Sequence, residues 1–364
     1  MSEPTICLSM IVRDEAHILL RCLQSVAPYI DAYAVCDTGS LDDTCVLTRG
    51  YFKVRGVPGK VYHHKWVDFA HNRTLALQAA AKSGCDYALV IDADEWLVVE
   101  DPRCLQTLQD DAYRVIMRFP GVSYPRLNFM RLARNFRYVS PIHEYPVCDG
   151  PVVGTLLDPD KIHMETDGQG ARAKQGDKNA KDLQVMQQWA VDEPANPRAW
   201  FYLAQGYEVN GRFAEALAAY TKRVQLSDYQ EEVFWSHYRM AKLCERLKNW
   251  PLAQLHYLDA YNHSPHRAEP LYWLAQGHFN RQQDRMALIY LETAVDIPKP
   301  VNMLFVEDAV YDYLCKTIYA TMLYNVNERE DAAELAKQLL DNEKLPSNYR
   351  PVLERIAGRE RVSA

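Results

Sequence analysis

Tyr87-Ala88-Leu89-Val90-Ile91-Asp92-Ala93-Asp94-Glu95 decides how the first half of this 364-residue chain is read. Its first five residues are a continuous apolar run, the pattern of a strand buried on both faces, and the run stops on carboxylates. Strand alternation carried through the end points Asp92 and Asp94 the same way, with Ala93 leaving space between them. Two carboxylates that project together repel unless a cation or a donor sits between them, and hard oxygen ligands suit Mg²⁺ or Mn²⁺. An acidic loop or a helix cap also produces Asp-x-Asp, so the position at a strand end is what gives the motif weight.

Outward from this stretch, strand-like and helix-like segments alternate. Ile6 to Val12 reads as a strand, His17 to Ala27 has helical spacing at Ile18, Leu19, Cys22, Leu23 and Val26, and Ala32 to Cys36 reads as a strand again. Phe69 to Ala81 is helical and leads into the strand that ends at Asp92. Such alternation predicts an α/β domain with a mainly parallel, Rossmann-like sheet, whose ligands bind beyond the carboxyl ends of the strands. Asp37-Thr38-Gly39-Ser40 lies at one such end. Gly39 permits a tight turn, and Ser40, Asp42 or Asp43 can cap the next helix, which leaves Asp37 without a structural task. Its carboxylate is a candidate acceptor for a nucleobase N–H or ribose hydroxyls.

From about Asn196 the pattern becomes purely helical and repeats. Trp200, Leu203, Ala204, Gly206 and Tyr207, then Ala216 and Tyr220, follow the tetratricopeptide pattern. Equivalent alanines recur at Ala204, Ala241 and Ala275, separations of 37 and 34. A final copy covers about Ala309 to Leu340, so an all-α solenoid of stacked hairpins is expected. The expected organisation is an α/β domain over 1–165, a Gly-containing loop and bridging helix over 166–195, repeats over 196–345 and a tail over 346–364. The polar stretch Thr166 to Asp182, with Gly168, Gly170 and Gly176, is expected to be a mobile loop. The solenoid is expected to bind an extended partner, a polypeptide or a glycan, or to mediate dimerisation, in a concave groove lined by Tyr202, Tyr238 and Tyr272.

Composition bounds the rest. With 48% hydrophobic and 24% charged residues, and no apolar run near the roughly 20 residues that span a bilayer, membrane-spanning and disordered readings are excluded. Nine thinly spread cysteines without a C-x-x-C pair suit a reducing, cytoplasmic setting, free or peripheral to the inner face of a membrane, and imply neither a disulfide framework nor a zinc site. A formal charge of −7 offers no global attraction to nucleic acid.

Leu8 to Glu15 (LSMIVRDE), Cys36 to Thr44 (CDTGSLDDT), Trp66 to Arg73 (WVDFAHNR) and Ile91 to Glu95 (IDADE) together resemble the family 2 glycosyltransferases of the GT-A fold, in order and in spacing. The attached repeats resemble the branch of that family with a C-terminal tetratricopeptide solenoid. The resemblance implies an inverting, metal-dependent transfer from a nucleotide sugar, a UDP-sugar above all, to a hydroxyl on a glycan, lipopolysaccharide, protein or modified nucleobase. By position, Arg13, Glu15 and Asp37 would border the nucleoside, Asp92 the ribose and Asp94 the Mn²⁺ or Mg²⁺, with Arg73 near the nucleotide. His71-Asn72-Arg73 departs from the family's commoner Ala-Arg-Asn order.

Ile142-His143-Glu144 resembles a His-Glu element of related lipopolysaccharide-type transferases, making Glu144 the candidate base for the acceptor proton, with Asp68 and Glu95 as alternates. His163 is the candidate late histidine that joins Asp94 and Asp92 at the metal. Arg118, Arg126, Arg131, Arg134 and Arg137, interleaved with aromatics, could grip phosphate or simply pair with the surplus acids. Two other classes stay open: an inactive GT-A domain serving a repeat scaffold, and a DNA-base glycosyltransferase, for which the arginine segment is the support and the net charge the objection.

Overall fold

The computed structural model describes residues 3–119, 122–170, 177–226, 229–300 and 305–358. The chain divides into two compact units, Met1–Asp192 and Glu193–Ala364.

The first unit is built on β1 (Ile6–Val12), which pairs in parallel with β2 (Ala32–Asp37) and with β4 (Tyr87–Val90), while β2 pairs in parallel with β3 (Gly59–His63). Helices α1 (Leu19–Val26), α2 (Thr44–Arg55) and α3 (Phe69–Ala81) connect them. The apolar runs are explained by burial on both faces. Leu8, Met10, Val35 and Leu89 pack with Leu19, Leu23 and Phe52 of α1 and α2. Cys7, Ala34, Cys36 and Ala88 face Ala76, Leu77 and Ala80 of α3. Small residues on that second face let α3 lie close to the sheet, which bears on the site because α3 carries Arg73.

Past β4 the sheet becomes mixed. Its order is β3-β2-β1-β4-β7-β6-β11-β5, with β7 (Val122–Arg131) antiparallel to both β4 and β6 (Ala112–Phe119). β11 (Ile162–Thr166) runs antiparallel to β5 (Glu95–Val99) and parallel to β6. β10 (Gly154–Leu156) pairs with β6, and β8 (Arg137–Val139) with β9 (Tyr145–Val147) form a separate ribbon. A short α4 (Arg103–Gln106) and the longer α5 (Lys178–Asp192) complete the unit. The expected strand at the acidic motif stops early. β4 ends at Val90, and Asp92 to Glu95 form a turn closed by the Glu95 amide on the Asp92 carbonyl at 3.1 Å. Strand alternation therefore does not orient Asp92 and Asp94; ion pairs hold Asp92 and backbone amides hold Asp94.

The second unit is helical, with no strand among its described residues. Successive hairpins are α6 (Pro197–Val209) with α7 (Phe213–Gln225), α8 (Gln230–Arg246) with α9 (Trp250–His263), α10 (Glu269–Phe279) with α11 (Asp284–Ala294), and α12 (Cys315–Asn325) with α13 (Arg329–Leu340). The helix α14 (Arg350–Ile356) follows, packing Leu353 and Ile356 against α12 and α13, so much of the expected tail is folded and residues 359–364 lie outside the described residues. The repeating alanines Ala204, Ala241 and Ala275 are all fully buried, as helix-to-helix contact positions must be. Tyr238 and Tyr272 are buried too, so they belong to the core and do not line an open groove. No helix among the described residues is long and apolar enough to cross a membrane. All nine cysteines are free thiols.

One close approach sets the spacing of α9 and α10. A Cβ on Gly277 would overlap the Trp250 ring, so Gly277→Ala must displace that ring or the helix that carries it. The expected cost is about 1–3 kcal/mol, read as a lowered denaturation midpoint at unchanged slope.

Candidate active site

The turns beyond β1, β2 and β4 converge on a cleft of about 1090 Å³ within the first unit. Arg13, Asp14 and Glu15 enter it from the end of β1, Asp92 and Asp94 from the acidic turn, and Asp68 and Arg73 from the start of α3. Ile142, His143 and Glu144 form another wall, and Gly168, Gly170, Lys178 and Lys181 a further one. A smaller recess of about 480 Å³ shares Arg13, Thr38 and Trp66 with it and adds Asp37, His63, His64 and Lys65. The residues named from the sequence for the nucleoside and the metal, His163 excepted, thus border one continuous depression.

Two arginines organise its acids. Arg73, its side chain 11% exposed, divides its guanidinium: Nη2 donates to both Asp92 oxygens at 2.8 and 2.9 Å, and Nε to Glu144 Oε1 at 2.5 Å. Arg126 makes a fork with Glu95, Nη1 to Oε1 at 2.6 Å and Nη2 to Oε2 at 2.5 Å, and its Nη1 lies 3.8 Å from Asp92. Burial works against the charged form of Asp92, but Arg73 and Arg126 outweigh it and hold its carboxyl below the ordinary range. Asp94 is left differently. Burial, then the charges of Asp92 and Glu95, push its carboxyl up, and backbone amides, that of Gly170 at 3.2 Å among them, offset only part of this.

Asp37 has a structural task after all. It accepts from the amides of Gly39 at 3.3 Å and Ser40 at 3.1 Å, and His63 Nδ1 lies 3.2 Å away. Burial would raise its pKa, yet bonding from Ser40, His63 and Gly39 keeps it low. The positive φ of Gly39, 111°, is what allows the turn to wrap the carboxylate. Asp68 caps α3, accepting from the His71 amide at 2.7 Å. Asp14 and His143 adopt left-handed backbone, φ 56° and 52°, and both line the cleft, a placement common where strain serves a site.

Two sequence expectations need correction. His163 does not reach the acidic turn: on β11 it pairs with Val98 and Ile116, while Thr166, three residues on, is the residue opposite Glu95. Its Nε2 is held by Arg118 at 3.1 Å and lies 3.4 Å from Glu165. The segment after β11 supplies Gly170 to Asp94 instead, so the stretch expected to be a mobile loop contributes Gly168 and Gly170 to the cleft wall; residues 171–176, with Gly176, lie outside the described residues. The arginine segment is mostly internal bracing as well. Arg131 binds Tyr87 Oη at 2.7 Å, Arg134 the Pro151 carbonyl at 2.8 Å and Arg137 Asp149 at 3.2 Å, leaving Arg126 as the member that acts on the acidic turn. Sequence reading missed His63, Trp66, Lys178 and Lys181. The stripe Lys178, Lys181, Asp182, Val185 at helical spacing was the available signal for the last two.

With this geometry in view, residues 7–159 match the family described as Glycosyl transferase family 2. The first unit is a family 2 glycosyl transferase domain. The chain is also similar to a TPR repeat-containing protein of Synechococcus elongatus, 37% identical over 155 residues, which is 40% of this chain and 35% of the relative. The match therefore spans about a third of that relative's length. Solved structures similar to part of the chain include MamA of Desulfovibrio magneticus RS-1, at 17% identity and TM-score 0.36 over 46% of this chain and 86% of that one. Another is YrrB, described as a TPR protein with an unusual peptide-binding site, at 13% identity and TM-score 0.38 over 49% of this chain and 86% of that one.

In this glycosyl transferase domain Glu95 is 5% exposed and spends both oxygens on Arg126. Arg126→Met should destabilise the chain by about 3–5 kcal/mol, because it leaves a buried carboxylate without a counter-charge, with the Asp92 amide at 2.9 Å as its remaining donor among the described residues. Adding Glu95→Gln should recover part of that loss in the same denaturation series; equal midpoints for wild type and the single variant would refute the clamp.

Proposed function

We propose that the glycosyl transferase domain moves a sugar from a nucleotide donor, a UDP-sugar, to an acceptor hydroxyl by inverting displacement, with Mn²⁺ or Mg²⁺ held at Asp94. The observation that carries this reading is a charge deficit. Asp92, Asp94, Glu95 and Glu144 bring four carboxylates to the acidic turn, and among the described residues Arg73 and Arg126 are the arginines that meet them. A divalent cation supplies the missing two charges, and Asp94, whose carboxylate has backbone amides as its described donors, faces the cleft to receive it. The residues present therefore fit such an ion. When bound, it would neutralise the diphosphate of the leaving nucleotide.

The chain's own residues divide the remaining work. The recess with Asp37, His63 and Trp66 has the acceptor, donor and aromatic surface that a nucleoside needs, and Arg13 stands between it and the larger cleft. Asp92, fixed by Arg73, is turned into the cleft as a hydrogen-bond acceptor for ribose hydroxyls. Glu144 is our choice for the base: Arg73 fixes Oε1, while Oε2 has no hydrogen-bond donor among the described residues and is left for an acceptor hydroxyl. Asp68, engaged as a cap, is the alternate, and Glu95, with both oxygens clamped, is assigned to positioning. The solenoid is assigned to holding the acceptor or a partner, including a second copy of the chain.

Chelation should remove sugar transfer and donor hydrolysis, Mn²⁺ should restore both, and Asp94→Asn should remain inactive with an unchanged circular dichroism spectrum. Full activity of that variant in chelator would overturn the metal assignment. Glu144→Gln should lower kcat by about 10²- to 10⁴-fold, the range for loss of a general base, with donor affinity nearly unchanged. An unaltered kcat moves the role to Asp68.

A further inference from the structure

The second unit contains a cluster that the transfer reaction does not use. On α8 His237, and on α9 His256 and Asp259, each offer one ligand atom, and these atoms all lie within 4.8 Å of one another. His237 Nδ1 is 3.5 Å from Asp259 Oδ2, and His256 Nδ1 is 3.8 Å from the same oxygen. Both separations are too long for a hydrogen bond. Both Nδ1 atoms are nonetheless shut off from solvent, and neither has a hydrogen-bond partner among the described residues. Two orphaned ring nitrogens thus converge on one carboxylate oxygen and stop short of it.

We propose that His237, His256 and Asp259 form a divalent transition-metal site of the zinc class that clips α8 to α9. The spacing has a direct explanation in such an ion. Zinc–nitrogen and zinc–oxygen bonds of about 2.0–2.2 Å at tetrahedral angles separate neighbouring donor atoms by about 3.4 Å, close to both separations. Imidazole nitrogen with a single carboxylate suits zinc, nickel or copper better than magnesium or calcium, whose shells are oxygen. His256 and Asp259 sit at i and i+3 on one helix, so they share a face, and His237 meets them from the preceding helix. His263 stacks on His237 at 5.2 Å, but its Nδ1 is turned to Gln230 at 3.3 Å, so it braces the ring and is not counted as a ligand. Asp259 is 40% exposed, which leaves the remaining coordination positions open to water or to a donor from another molecule.

This site is independent of the one in the transferase domain, and its test must keep the two apart. The full-length chain carrying Asp94→Asn and Cys45→Ser disables both the acidic turn and the separate grouping of Asp37, Cys45 and His63. After dialysis against chelator, that variant is titrated with Zn²⁺ by calorimetry and with Co²⁺ by visible absorption. The expected result is one equivalent bound, with tetrahedral Co²⁺ bands, and a rise in thermal midpoint with added Zn²⁺. Introducing His256→Gln should weaken Zn²⁺ binding at least about 100-fold, since loss of even the groups behind a ligand costs 10–100-fold. Should His256→Gln fail to fold by circular dichroism, Asp259→Asn, at a half-exposed position, reads the same loss. Absence of a bound equivalent in the parent variant, or unchanged affinity after either substitution, overturns the proposal.

Discussion

Arg73 is the side chain on which the geometry of the cleft depends. One guanidinium joins Asp92, from the turn after β4, to Glu144, from the segment after the small ribbon strand β8, with Nη2 and Nε donating in different directions. That division requires the start of α3 to be fixed, and it is. Asp68 caps the helix, and Asn72, fully buried, accepts from the Val67 amide and donates to the Lys65 carbonyl, both at 3.0 Å. Packing of Ala76 and Ala80 against the small residues of the sheet then sets the height of the helix. A lysine in place of Arg73 could not serve both carboxylates with the same directionality, because its ammonium is a point charge without a planar fork.

The fold was legible because its signals are local. β1 as observed is the Ile6 to Val12 run, and α3 is the Phe69 to Ala81 segment, since apolar periodicity and the Asp68 cap both act over a few residues. The repeat spacing was equally readable: a small residue recurs where paired helices pack closely, and Ala204, Ala241 and Ala275 are fully buried at such positions. The cleft was legible only in part. Its acids stand at strand ends, where the pattern changes from apolar to charged, but the partners of those acids lie far along the chain. Arg126 comes to Glu95 from the middle of a hairpin, and Gly170 comes to Asp94 across 76 residues of sequence. His163 misled for the same reason, because the register of β11 against β5 decides which residue stands opposite Glu95, and register is a property of two strands together.

The solenoid carries polar chemistry in its interior, which a reading by hydrophobic repeat does not anticipate. Arg223 and Arg267 are fully buried. Arg223 Nε donates to Glu232 at 3.2 Å, and Arg267 makes several bonds to Glu269, the shortest 2.8 Å. Glu232 also receives Arg198 at 2.7 Å, and Glu269 receives the Tyr311 hydroxyl at 2.5 Å. Apolar surface alone allows neighbouring hairpins to slide, whereas such pairs are satisfied in one register, because a shift by a single turn would leave buried charges without partners. The His237, His256 and Asp259 cluster differs from these networks in that its donors and acceptor face one another without bonding.

Backbone strain at the cleft completes the comparison between the two kinds of buried polar group. Asp14 and His143 hold a left-handed conformation that costs on the order of 1–3 kcal/mol for a residue with a side chain. Bonds of the residue itself or of its neighbour hold each in place. The Asp14 amide donates to the Ser40 hydroxyl at 3.0 Å and its carboxylate accepts from the Leu41 amide at 2.7 Å, tying the turn after β1 to the turn after β2. His143 is followed at once by Glu144, which Arg73 fixes. The strained residues therefore stand where loops from different strands are brought to a common point. In the first unit strain and ion pairs together fix the loops, while in the solenoid left-handed residues recur at the hairpin turns, Lys248, Gln282 and Asn327 among them, and buried charge pairs add to the register.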